Sequence, residues 1–112
     1  MTLVIDYGVG NLFSLRRSLE FLGEEAVVSG DPAALRSAER VILPGVGAFG
    51  DAAALLKSRG LDAAVRDYAK SGRPLLGICL GMQLLFDGSE EFGWHDGLGL
   101  LPGRVTALKP AL

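Results

Sequence analysis

A single cysteine, a single histidine and a single tryptophan among 112 residues leave the chain short of the side chains that build cross-linked or metal-held scaffolds. One cysteine makes no intramolecular disulfide, so the fold must rest on its packed core, as cytoplasmic α/β proteins do. One Cys with one His falls short of a tetrahedral zinc site, and no metal is expected. Neither sign of charge dominates: 11 Lys+Arg stand against 13 Asp+Glu, a net charge of −2. The basic residues are scattered, which leaves no electrostatic footprint for nucleic acid or an anionic membrane face. Apolar runs such as residues 3–5, 41–43 and 75–76 are far too short to cross a bilayer. The N-terminus lacks the form of a secretory signal, because Asp6 interrupts the early apolar stretch and no basic segment precedes it.

What is abundant is glycine. The 16 glycines are roughly twice the average share of about 7%, and they cluster after apolar runs, where a backbone must approach something closely. Residues 2–6 (TLVID) predict a strand, followed by a turn at residues 7–10 and a helix from Asn11. In that helix Leu12, Leu15, Leu19 and Leu22 share one side, with Arg16, Arg17 and Glu20 on the other and Gly23 ending it. Residues 25–29 predict a second strand, Asp31-Pro32 the start of a short helix to Ser37, and residues 40–43 a third strand. A glycine loop, residues 44–50, leads to a helix capped by Asp51 and ending at Gly60. Another helix follows from Leu61 to Ser71, with Leu61, Ala64, Val65 and Tyr68 on one face.

Residues 74–78 predict a fourth strand that runs through Gly77-Ile78-Cys79-Leu80-Gly81 into a helix over 82–86. Residues 87–103 read as irregular, and 105–108 as a fifth strand. Apolar, non-alternating strands separated by amphipathic helices predict a doubly wound α/β fold, mostly parallel and flavodoxin-like, with helices on both faces. Ligands bind such sheets at the C-terminal ends of the strands. Those ends here are Gly8-Val9-Gly10, the loop 44–50, and Cys79.

Gly77-Ile78-Cys79-Leu80-Gly81 is G-x-C-x-G at a strand-to-helix junction, the cysteine counterpart of the nucleophile elbow. So tight a turn strains the nucleophile's backbone and leaves no room for Cβ atoms at the flanking glycines. The thiolate would meet unpaired N–H groups at a helix start, and the Leu80 N–H can face a developing oxyanion. The alternative is a small buried hydrophobe, which free cysteines often are. Pro44-Gly45-Val46-Gly47 either places backbone N–H groups beside Cys79 or merely turns strand into helix. Gly8-x-Gly10 lacks the third glycine of a dinucleotide fingerprint, since position 13 is Phe13, and no G-x-x-x-x-G-K-S/T occurs. Nucleotide cofactors are therefore not expected. His95, next to Trp94, is either a solvated loop residue or a base paired with Cys79. Glu90-Glu91 and Arg16-Arg17 read as solvated surface.

Four segments, Asp6-Tyr7-Gly8-Val9-Gly10-Asn11-Leu12, Pro44-Gly45-Val46-Gly47-Ala48-Phe49-Gly50, Gly77-Ile78-Cys79-Leu80-Gly81-Met82-Gln83-Leu84-Leu85-Phe86 and Gly97-Leu98-Gly99-Leu100-Leu101-Pro102-Gly103, carry a resemblance that runs the length of the chain. Together they resemble the class I (triad) glutamine amidotransferases, in the form of the glutaminase subunits of imidazole glycerol phosphate synthase. The resemblance implies that Cys79 attacks the side-chain amide of L-glutamine, forming a glutamyl thioester and releasing ammonia. It implies oxyanion donors at the Val46 and Leu80 backbone, substrate contacts at Gly45, Gly47 and Gln83, and no cofactor. It further implies a (β/α)8-barrel cyclase partner that consumes the ammonia in histidine biosynthesis, in the cytoplasm.

The family's base and its orienting carboxylate lie in a His-Pro-Glu segment near the end of a chain about twice as long, and no such segment occurs here. Residues 1–112 are thus expected to be the N-terminal part of one amidotransferase domain, inactive alone because triad members act as a unit. The competing expectation is a non-catalytic α/β binding or interaction module with a packed Cys79. A sheet stopped partway is also expected to expose an edge and apolar surface, and so to self-associate or stay partly molten.

Overall fold

The computed structural model describes residues 1–108. Four short apolar segments form a parallel sheet: β1 (Thr2–Ile5), β2 (Ala26–Ser29), β3 (Arg40–Leu43) and β4 (Leu75–Gly77), in the order β2-β1-β3-β4. Leu3 lies beside Val27 and Val41, and Val41 beside Leu75, so these rows face the same side of the sheet. The order reverses between β1 and β3, which places the switch point, where doubly wound sheets bind ligands, at their C-terminal ends.

One face is fully covered. Leu3, Ile5, Val41 and Leu43 pack with Leu35 of a 3₁₀ helix (Pro32–Ser37), Ala52 and Leu56 of α2 (Phe49–Ser58), and Leu61, Val65 and Tyr68 of α3 (Leu61–Lys70). All of these are buried. On the opposite face, among the described residues, lies α1 (Leu12–Phe21). There a groove of about 410 Å³ opens between Leu19 of α1 and Leu22 just after it on one side, and Ile42, Leu76 and the preceding Pro74 on the other. The helices thus lie on both faces as expected, but unevenly. Leu12, Leu15 and Leu19 are only half-buried, and Leu22 is 76% and Leu76 55% exposed.

Local chemistry explains most boundaries. The Asn11 side chain accepts from the Ser14 N–H and caps α1, while the Glu24 N–H returns to the Leu19 carbonyl around Gly23 (φ +80°). Asp31 accepts from the Ala33 N–H, yet the residues after it form a 3₁₀ and not an α turn. The helix after the glycine loop starts at Phe49, so Asp51 sits in its first turn, favourable to the dipole, and does not cap it. The helix expected over 82–86 starts at the elbow itself as α4 (Leu80–Gln83).

The stretch read as irregular holds a second, three-stranded sheet. β5 (Gly88–Ser89) pairs antiparallel with β6 (His95–Asp96) and parallel with β7 (Arg104–Val105). The expected strand over 105–108 is therefore β7, shorter, shifted, and no part of the main sheet. The reason is that the N–H groups of Gly97, Leu98, Gly99 and Leu100 bond to carbonyls of residues 84–87, tying the segment to the chain after α4.

Candidate active site

Cys79 joins β4 to α4 with φ 55° and ψ −122°, a conformation that a non-glycine residue rarely holds unaided. Its surroundings impose it. The Ile78 N–H bonds to Leu43 O on the sheet side at 3.0 Å, and the Met82 N–H closes onto Cys79 O at 3.0 Å on the helix side. A Cβ on Gly77 would stand 2.6 Å from the Met82 Cα, and one on Gly81 would run into the Leu43 carbonyl. Both glycines of G-x-C-x-G are therefore there for space, as the sequence implied.

The thiol is exposed. That contradicts the alternative expectation of a packed Cys79, because a core role requires burial. Gln83 lies one turn along, its N–H bonded to Cys79 O, and is half-buried. No polar side-chain atom buried among the described residues lacks a partner.

The loop after β3 is built against this elbow. Gly45 sits so close that a Cβ there would lie 2.7 Å from the Tyr7 hydroxyl, 2.9 Å from the Gly81 N and 3.0 Å from the Leu80 Cβ. The buried Tyr7 hydroxyl donates to Pro44 O at 2.6 Å, and burial pushes its pKa up to about 12. Tyr7 thus ties the end of β1 to the loop, a role that its place in the Asp-Tyr-Gly motif did not reveal. Gly47 takes φ +95°, which re-aims the chain toward α2, and Val46 is exposed.

One expected feature is occupied. The Leu80 N–H, assigned as an oxyanion donor, donates to Gly45 O at 3.2 Å. The same peptide unit carries the Val46 N–H, which points opposite to its carbonyl. For Leu80 and Val46 to donate together, the Gly45–Val46 peptide must turn over. The structure brings Gly45 and Leu80 together beside Cys79, but the direction of one peptide is not written in residue types.

His95 makes no hydrogen bond to Cys79; its ring lies against Gly50 in the first turn of α2. Of the expected surface residues, Arg16, Arg17 and Glu90 are exposed, while Glu91 is half-buried. Arg16 pairs with Glu20 at 3.1 Å, Arg17 lies over Phe13, and Glu90 pairs with Arg104 at 3.2 Å. Among the described residues no group of three or more His, Cys, Asp or Glu is placed to hold a metal, and no helix is long and apolar enough to cross a membrane.

Three relatives named imidazole glycerol phosphate synthase subunit HisH come from Geobacillus kaustophilus, Symbiobacterium thermophilum and Sulfurimonas denitrificans. They are 58%, 56% and 50% identical over 92%, 97% and 96% of this chain, but over only 49%, 51% and 52% of their own lengths. The chain thus spans about half the length of the curated relatives it matches. A crystal structure of a glutamine amidotransferase superposes with a TM-score of 0.79 at 24% identity, covering 94% of this chain and 55% of that one. A putative peptidase E from Listeria monocytogenes does so with 0.72 at 16%, covering 89% and 62%. These structures establish the α/β fold. The family model for the CobB/CobQ-like glutamine amidotransferase domain matches residues 5–110. With a strained, exposed cysteine on a glycine-flanked elbow and a glycine loop packed against it, the chain belongs to that glutamine amidotransferase family.

Proposed function

We propose that this chain is the nucleophile-bearing half of a glutaminase that supplies ammonia to a (β/α)8-barrel cyclase, as a subunit of imidazole glycerol phosphate synthase in cytoplasmic histidine biosynthesis. The observation that carries this reading is the exposed Cys79 held at φ 55° between two glycines that tolerate no Cβ. The Cys79 Sγ attacks the side-chain amide carbon of L-glutamine, and the carbonyl oxygen gains charge toward Leu80 and Val46. The C–N bond breaks, ammonia leaves after taking a proton, and water hydrolyses the thioester to glutamate. Gly45, Gly47 and Gln83 line the approach to Cys79 and hold the substrate in this reading.

No base bonds to Cys79 among the described residues, so the proton transfers need a group outside them. A chimera tests this: residues 1–112 continued by the C-terminal half of the Geobacillus kaustophilus relative, assayed for ammonia release with a cyclase subunit. The chimera is expected to hydrolyse glutamine and to lose the activity on Cys79→Ala, while the 112-residue chain alone shows negligible turnover. Turnover by the chain alone that both Cys79→Ala and His95→Ala abolish would replace this reading with a Cys79–His95 dyad.

A further inference from the structure

We propose that His95 is a positioning residue that sets the Pro44-Gly45-Val46-Gly47-Ala48 loop through a face-on contact with Gly50; for its catalytic meaning, the proposal rests on the glutaminase reading above. A Cβ built on Gly50 would stand 2.8, 2.8 and 2.9 Å from the His95 Cε1, Nδ1 and Nε2. Three ring atoms at nearly equal distance mean that the imidazole presents its flat face to the glycine. Gly50 lies in the first turn of α2, two residues after Ala48, where the loop enters the helix. The ring therefore bears on the point from which the loop hangs.

The other side of the contact is tied by hydrogen bonds to the chain that follows the elbow. His95 is paired with Ser89 in the β5–β6 ribbon, and Ser89 is fully buried. Just beyond it, the Gly97 N–H bonds to Asp87 O at 2.9 Å, Leu98 N–H to Leu84 O at 2.8 Å and Leu100 N–H to Leu85 O at 2.8 Å. The Arg66 guanidinium of α3 donates to Leu98 O at 3.0 Å and fixes the same turn from outside. A closed circuit results: elbow and α4, ribbon, His95, Gly50, loop, and back to the elbow through Gly45 O and the Leu80 N–H. Of these links, the His95–Gly50 contact is one of side-chain shape alone, with no hydrogen bond to replace it. A ring fits there because position 50 has no Cβ, which gives Gly50 a purpose that helix propensity would oppose.

Amide hydrogen exchange on the full 112-residue chain tests this directly. His95→Ala is expected to raise exchange of the Val46, Gly47 and Ala48 amides about tenfold or more while those of Val4 and Ile42 stay unchanged. His95→Phe, which keeps a flat ring without a titratable group, is expected to restore slow exchange. Gly50→Ala, which pushes the ring off from the other side, is expected to loosen the loop like His95→Ala. A second readout is alkylation of Cys79 by a glutamine-shaped chloromethyl ketone, from which the thiolate displaces chloride. In His95→Ala the maximal rate should fall with an unchanged half-saturating concentration, and labelling by iodoacetamide should not change. Loop exchange unaltered in both His95→Ala and Gly50→Ala would overturn the proposal, as would His95→Phe behaving like His95→Ala. Should His95→Ala unfold the chain, Gly50→Ala and His95→Phe still decide it. A wild-type chain that reacts with the ketone without saturation would refute the glutaminase reading, and the exchange data would still judge the positioning role.

Discussion

Replacing Tyr7 with Phe removes one oxygen from a site where its loss is not easily repaired. The hydroxyl donates to Pro44 O at 2.6 Å in the interior, between the end of β1 and the loop beside Cys79. A net hydrogen bond is worth about 1 kcal/mol, and a buried carbonyl left without a donor costs about 1–3 kcal/mol, so a loss near 2 kcal/mol is expected. For a chain of this size that is a fall in Tm of roughly 8 °C. The pH dependence has a definite sign. Burial raises the phenol from 10.0 to about 12, so the folded state holds the proton more tightly than the unfolded one. The associated stability is complete below pH 10.0 and is lost as pH rises toward about 12, by at most ~3 kcal/mol at about 1.4 kcal/mol per unit. Tyr7→Phe has no such proton, so the gap between the two proteins should be widest near pH 8 and close by about pH 12. Thermal and urea melts followed by circular dichroism, at one protein concentration across pH 8–12, measure it. A gap below about 0.5 kcal/mol at pH 8, or one that persists unchanged through about pH 12, would refute the assigned role.

Other expectations concern the elbow, the first helix and the open face. Gly81→Ala drives a Cβ into the Leu43 carbonyl and should cost about 2–4 kcal/mol by urea denaturation, far more than alanine's helix propensity returns. Asn11→Ala removes the cap on the Ser14 N–H and should cost about 1 kcal/mol in the same assay. The half-covered face, with Leu22 and Leu76 exposed beside the unpaired edge of β4, should make the chain self-associate. Light scattering over a concentration series should then show a mass above that of one chain, reduced by Leu76→Lys. A monomeric mass throughout would show that the face is tolerated in water.

Sequence periodicity carried the main sheet because each strand is a short apolar run closed by a turn residue, and β3 matched to the residue. It carried the elbow because steric exclusion of Cβ at Gly77 and Gly81 is a residue-type constraint. It failed where tertiary contacts decide. Two-residue strands such as β5 and β6 have no period to read, and residues 97–100 are organised by distant partners, the carbonyls of residues 84–87 and the Arg66 guanidinium. The start of α4 was placed late because Cys79's own backbone turn, and not a polar cap, opens that helix. The engaged Leu80 N–H and the His95–Gly50 contact were equally invisible, since one depends on the direction of a peptide and the other on residues 45 positions apart. The uneven cover of the sheet was foreseen in kind, but only the structure shows that α1 leaves Leu76 bare.

The central claim is that Cys79 is a nucleophile addressed by glutamine. Intact-mass and peptide mapping after brief treatment with the glutamine-shaped chloromethyl ketone, with and without excess L-glutamine, tests it most directly. The account predicts one adduct, on Cys79, formed faster than in urea-unfolded protein and suppressed by L-glutamine but not by glutaramate, its analogue without the α-amino group. Labelling of Cys79 at the same rate in native and unfolded chain, indifferent to glutamine, would contradict it.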